Sequence, residues 1–241
     1  MHRPKWSLAI FHFKARRLVC FLALVYSFAG TSFADEKVCG KLNGHVIEVQ
    51  REYIAFWAEY EGKSSWEKGF TDNKKGCSAN FVSLPMVMTW PGMKPANHTT
   101  YFVQALEFEG LSVTLNSRRR LGKNLRSVLE FFLSATPPQW IDRVRFDEEV
   151  GLYYVDGNDR VFDGRVNKYF WLEANGEIHF VFECLQLTRE NRLYTCEGTY
   201  VLEALGVLVE VRFTPEKMKD WVAIIGSVEM FVLEKIKNKG E

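Results

Sequence analysis

Histidine is scarce in this sequence, and the groupings that most hydrolases and metal sites depend on are missing. Of five histidines, two fall within the first 34 residues, leaving His45, His98 and His179 in three unrelated settings. No Gly-x-Ser-x-Gly is present, and no serine has a basic neighbour and an acid arranged as a triad would require. There is no Cys-x-x-Cys and no paired histidine, so a zinc site has no ligand framework. These absences argue against an enzyme and predict no metal and no cofactor. A basic surplus is missing too. Beyond residue 34 the chain carries 26 Lys and Arg against 30 Asp and Glu, a net charge of −4. Nucleic-acid binding, which leaves a strong basic footprint, is not expected. The Arg118-Arg119-Arg120 run reads as a loop leading into a helix.

What the first 34 residues do contain is a targeting pattern. Arg3, Lys5, Lys14, Arg16 and Arg17 precede the apolar run Leu18–Ala29, and Ser32-Phe33-Ala34 offers small residues at −3 and −1 of a cleavage site. The run is too short for the roughly 20 residues of a membrane-spanning helix. It predicts a cleaved secretory signal over 1–34, an exported chain from Asp35, and no transmembrane segment after cleavage. Val19 before Cys20 does not suit a lipobox.

Export changes the meaning of the remaining cysteines, Cys39, Cys77, Cys184 and Cys196. An even number in an oxidising compartment implies two disulfides. Ile178–Leu187 and Leu193–Leu202 read as the two strands of a hairpin. If its turn centres on Glu190, Cys184 faces Cys196, Leu185 faces Thr195 and Leu187 faces Leu193. Directly opposed side chains lie about 4.5–5.5 Å apart at Cβ, within reach of a disulfide. That pairing leaves Cys39 for Cys77.

The remaining pattern is strands, helix, strands, helix. Asn43-Gly44 within Val38–Gln50 is a hairpin turn signal. Tyr53–Tyr60, Phe81–Trp90, Tyr101–Glu109 and Leu111–Asn116 read as strands, with Pro85 placing an edge or a bulge in the second. Leu121–Ser134 has helical apolar spacing and ends at Pro137-Pro138. Ile141–Phe146 pairs with Val150–Val155, followed by a turn at Asp156–Asp159. With Asp163 that turn clusters oxygen ligands, but it fails the EF-hand spacing. Val166–Glu173 and Val207–Phe213 flank the cysteine hairpin. The last helix, Pro215–Ile236, has Thr214 as candidate N-cap and an apolar face through Met218, Trp221, Ile225 and Val232. The expected fold is α+β: mainly antiparallel sheet with a mid-chain helix and a long C-terminal helix packed on it. Residues 35–135 and 136–241 form either two lobes or one continuous domain.

Aromatic residues in polar segments have two readings: a structural one, in which Trp66 folds back over the sheet edge as a lid on the core, and an interaction one. Trp57, Trp66 and Trp90 are candidate anchors at a protein interface. The loop Glu59–Trp66 and its surroundings suggest Tyr60, Glu61, Ser65, Trp66 and Trp90 as partner-binding residues. Asn97-His98-Thr99 formally matches a glycosylation acceptor.

Over Asn43–Tyr53, Lys75-Gly76-Cys77, Ser83-Leu84-Pro85 and Thr89-Trp90-Pro91 the chain resembles periplasmic immunity proteins encoded beside lipase effectors of bacterial type VI secretion systems. The resemblance covers about the first third of the exported chain. It implies a periplasmic protein whose partner is a cognate secreted, lipase-like effector, which it binds and inhibits. No binding residue carries over with it. The other function that fits an exported α+β domain is an envelope protein holding a small apolar or lipid ligand between sheet and C-terminal helix. An apolar cavity under Trp221 and Ile225 would favour that alternative.

Overall fold

The computed structural model describes residues 36–117, 124–134, 136, 138–157, 164–187, 189–190 and 192–237. The expected signal segment at 1–34, the Arg118–Arg120 run, Leu121 and the Asn158–Asp163 cluster lie outside the described residues. Strands β1 (Lys37–Leu42) and β2 (His45–Gln50) form a hairpin. Its turn has Asn43 at φ 47° and Gly44 at φ 89°. Both values are positive, as the favoured two-residue hairpin turn requires.

Nine further strands build one antiparallel sheet: β3 (Glu59–Tyr60), β4 (Phe81–Met88), β5 (Leu111–Asn116), β6 (Arg145–Asp147), β7 (Leu152–Asp156), β8 (Arg165–Ala174), β9 (Glu177–Leu187), β10 (Arg192–Leu202) and β11 (Val207–Phe213). Their order across the sheet is β3-β4-β5-β11-β10-β9-β8-β7-β6. The edge strands have only two and three residues, which leaves little free backbone for edge-to-edge association. Pro85 sits in β4 with its carbonyl turned outward to Ala55, where no continuous strand needs the missing N–H.

Among the described residues there are three α-helices: α1 (His98–Gln104), α2 (Arg126–Leu133) and α3 (Trp221–Glu234). The alternation of β8 to β11 assigns one side chain set to each sheet face. Phe182, Tyr200, Val209 and Phe213 face α3, where Trp221, Ile224, Ile225 and Val228 cover them. Val181, Trp171, Tyr169 and Leu208 face the opposite way and are covered by Leu125, Leu129 and Leu133 around α2. The β1–β2 hairpin closes the α3 side, with Glu48 N donating to Lys235 O at 3.1 Å and Lys237 N to Val46 O at 2.9 Å. Under Trp221 there is ring packing, at 5.1 Å from Phe180 and 5.5 Å from Phe182, and its indole N–H donates to Val150 O.

Several expectations need correction. Tyr101–Glu109 is not a strand but helix α1 followed by a 3-10 turn at Ala105–Glu107. Asn97 decides this, because its side chain accepts the Thr100 N–H and starts a helix. Tyr53–Tyr60 is mostly irregular, with a 3-10 turn at Arg51–Tyr53 and only Glu59–Tyr60 in the sheet. Ile141–Phe146 is largely a 3-10 turn, and β6 begins at Arg145. The C-terminal helix opens with a 3-10 stretch at Pro215–Asp220, and Thr214 makes no capping bond with its side chain. Cys184 does face Cys196, but a bulge between Leu193 and Thr195 pairs Leu193 with Gln186 instead of Leu187.

Candidate interaction surface

Just before β3 the chain leaves the core. Ala55 is buried against Val87, Ala96 and Phe108. The next two residues then turn outward, with Phe56 46% and Trp57 50% exposed. Arg51 holds this segment by donating to Ile54 O at 2.8 Å and Phe56 O at 3.0 Å. His98 Nε2 contacts Glu52 O at 2.9 Å and ties the segment to α1.

Helix α1 extends the same surface. Tyr101 packs edge-on against Phe108, with ring centroids 5.1 Å apart, and so orients the helix. Phe102, 51% exposed, then lies 5.2 Å from Phe56. Val103 and Leu106 continue outward at 80% and 41% exposure. On the other side, Trp57 lies 5.9 Å from Phe70. Trp57, Phe56, Phe102, Val103 and Leu106 thus form one apolar ridge. Scattered exposed apolar residues are ordinary, whereas a contiguous group of large ones marks an interaction site.

The neighbouring loop, residues 61–76, is braced from within. Asn73 donates to Tyr60 O at 3.3 Å and Lys63 O at 2.7 Å, and accepts from Lys63 N at 2.9 Å. Gly62 has φ 137° and lies so close under Asn73 that a Cβ would overlap it. Glu67 accepts the Ser64 N–H at 2.6 Å, and Glu61 accepts from Asn80 Nδ2 at 2.7 Å. Just beyond the loop, Cys77 is bonded to Cys39 of β1, with Cα atoms 4.7 Å apart. Trp66, at the tip of this braced loop, is 94% exposed. Such pre-organisation reduces the ordering entropy lost on binding.

The five sequence-selected residues separate into two groups. Glu61, Ser65 and Trp66 lie on the braced loop, with Ser65 half-buried and the other two exposed. Tyr60 and Trp90 instead pack against the main core. The Tyr60 hydroxyl donates to Cys39 O at 2.9 Å, its ring lies 4.8 Å from Phe81, and burial pushes its phenol pKa up. Trp90 precedes a cis bond to Pro91. Sequence reasoning missed Phe102, Val103 and Leu106, because their segment was read as a strand. The N-capping pattern at Asn97 was the signal that could have revealed them.

Candidate chemistry elsewhere is limited. Glu48 lies beside Cys39 and Cys77, but the sulfurs bond to each other and leave no thiolate for a metal. Lys237, then Lys37, engages the Glu48 carboxylate and holds its pKa below the usual carboxylate value. The second disulfide, Cys184–Cys196, is fully buried in the main core. His179 lines a groove with Glu203 and Glu229, in which burial, then Glu203, raises the Glu229 pKa. Among the described residues no Ser, Thr or Cys lines that groove. Among the described residues no helix is long and apolar enough to cross a membrane.

No protein-family model matches the sequence, and no curated protein sequence does. A solved structure does. The chain is similar in fold to Smlt3025, an immunity protein of the Stenotrophomonas maltophilia type IV secretion system. The match has a TM-score of 0.54 and covers 86% of this chain and 96% of that one. Identity is 12%, so the likeness is one of backbone architecture. It extends well beyond residues 43–91, where the sequence resemblance to immunity proteins resides.

Proposed function

We propose that this chain is an immunity protein that binds a cognate secreted effector and blocks it stoichiometrically in the periplasm. The observation that carries the reading is the exposed ridge Trp57–Phe56–Phe102–Val103, with Trp66 on the braced loop beside it. Aromatic side chains of this kind supply most of the energy at protein interfaces, and here they stand on a disulfide-linked scaffold. The fold likeness to Smlt3025 and the sequence resemblance to immunity proteins of lipase effectors support the same reading from independent directions. The finer identity, a lipase-like effector of a type VI system, rests on the sequence resemblance. Glu61, Ser65 and Trp66 belong to the contact surface, while Tyr60 and Trp90 support it from below. Residues 1–34 direct export and leave after Ala34.

The test is to mix the purified chain, starting at Asp35, with the secreted effector encoded beside it and follow both complex formation and hydrolysis of a phospholipid substrate. A complex of fixed stoichiometry in which hydrolysis stops supports the full reading. A complex with an effector of different chemistry keeps the immunity role and removes the lipase. Absence of both complex and inhibition removes the role itself. The ligand-binding alternative is not favoured, because Phe180 and Phe182 fill the space beneath Trp221.

A further inference from the structure

Next to the Val103 end of the ridge, a groove of about 480 Å³ runs between α1 and the 3-10 stretch at Pro215–Asp220. Gln104, Glu107, Glu109, Arg192, Tyr194 and Glu216 are among its lining residues. Val103 belongs to both features, so ridge and groove form one continuous surface.

The charges of the groove are unequal, and its two cations are already engaged. Arg192 forms an ion pair with Glu107 and lies over the Tyr194 ring at 4.5 Å from its centroid. Lys217, whose side chain is only 15% exposed, donates to Glu109 at 3.0 Å and to Thr214 Oγ1 at 2.8 Å. The Glu107 and Glu109 side chains remain 50% and 71% exposed. Exposed Glu216 adds a third carboxylate to the lining. With Lys217 counted, three carboxylates stand against two cations, each cation held by one glutamate, and Glu216 supplies the surplus negative charge. An acidic group entering it would be repelled, whereas a basic one would be attracted.

We propose that this groove receives a Lys or Arg side chain of the bound effector, whose neighbouring apolar residue rests on Phe102, Val103 and Leu106. The inference rests on the immunity reading and assigns its partner's chemistry: a loop with one basic and one apolar residue side by side. Carboxylates at a solvent-exposed rim act mainly on association rate and specificity, and their effect weakens with salt. The apolar lip acts mainly on dissociation.

The test compares the wild type with Glu216→Lys, Val103→Asp and, at the opposite edge of the sheet, Ile141→Asp. Each binds a catalytically inactive form of the effector encoded beside this chain, with association and dissociation followed at about 0.05 and 0.5 M salt. Thermal unfolding confirms that each variant is folded. Glu216→Lys should slow association about tenfold at low salt, with the difference shrinking at high salt as the Debye length falls to a few ångströms. Val103→Asp should speed dissociation more than tenfold, and Ile141→Asp should leave both rates unchanged.

If the wild type binds and inhibits while only Ile141→Asp impairs binding, the groove is not the contact, and the immunity reading stands. If the wild type binds no effector, both fall. Sedimentation with phosphatidylglycerol vesicles, and of the chain alone, covers the other occupants of the ridge. Vesicle binding or a dimer abolished by Val103→Asp, without effect on the effector, would also overturn the proposal.

Discussion

The Cys39–Cys77 disulfide encloses β2, the outward-turning Phe56–Trp57 segment and the braced loop that carries Trp66. Its half-cystines are 38 residues apart in sequence. In the chain-entropy description, a loop of that size restricts the unfolded chain by about 4 kcal/mol at 25 °C. The folded state has other ties at the same place: Lys41 N donates to Ala79 O at 2.8 Å, and Tyr60 to Cys39 O at 2.9 Å. Replacing both cysteines by alanine should therefore leave the fold in place and act mainly on the unfolded ensemble. The expected loss is about 2–4 kcal/mol, within the usual range for native disulfides. With a urea m-value of about 2 kcal/mol per molar, the midpoint should fall by about 1–2 M. Urea unfolding of the variant and of the wild type measures it. A midpoint within about 0.2 M of wild type would refute the reasoning. So would amide exchange that rises throughout β8, β9 and β10, since the native sheet would then depend on the bridge. The effector-binding rates should change little, because Asn73 braces the loop independently of the sulfurs.

Three other outcomes follow from particular side chains. Trp57→Ala should shift thermal stability by less than about 0.5 kcal/mol, being a surface change, yet weaken effector binding more than tenfold in a calorimetric titration. Tyr200 is 1% exposed, and its hydroxyl has no hydrogen-bond partner among the described residues. Tyr200→Phe removes an unsatisfied buried group, so urea unfolding should show stability unchanged or raised by about 1 kcal/mol. Glu183 faces Glu197 across β9 and β10, and burial, then Glu197, raises its carboxyl pKa. The fold thus favours its protonated form, and that contribution is lost as pH rises through the raised value. Glu183→Gln should match wild type near pH 3 and become the more stable of the two above the ordinary carboxylate range, near 4.3. A stability difference that stays constant across that range would contradict this.

The sequence was most informative where period and chemistry agreed. From β8 to β11, strict alternation separates Phe182 and Tyr200 from Val181 and Leu208, and the cysteine register specifies Cys184 opposite Cys196. The irregularities near Leu193 and between Leu172 and Glu173 escaped, because a turn of uncertain length fixes register only away from itself. The α+β class and both disulfides were legible for the same reason. The part of the chain that builds the ridge, Arg51–Tyr60 together with Tyr101–Glu109, was not. Its aromatics suggest strands by composition, yet Phe56, Trp57, Phe102 and Val103 are exposed. They do not serve the core, so core-based patterning misassigns them. Where local sequence and structure disagree most is where the candidate surface lies, as expected of residues retained for binding. The charged groove was invisible for another reason. Glu107, Arg192 and Glu216 are far apart in sequence, and only the packing of α1 beside the Pro215–Asp220 stretch brings them together.

The central claim, stoichiometric neutralisation of a secreted effector, is tested most directly by titrating the oxidised chain from Asp35 onward into the active effector encoded beside it while recording residual hydrolysis. Residual hydrolysis should fall linearly and reach zero at a fixed molar ratio, with the complex recovered intact by size exclusion. Undiminished hydrolysis at a tenfold excess of the chain, with the two proteins eluting separately, would contradict it.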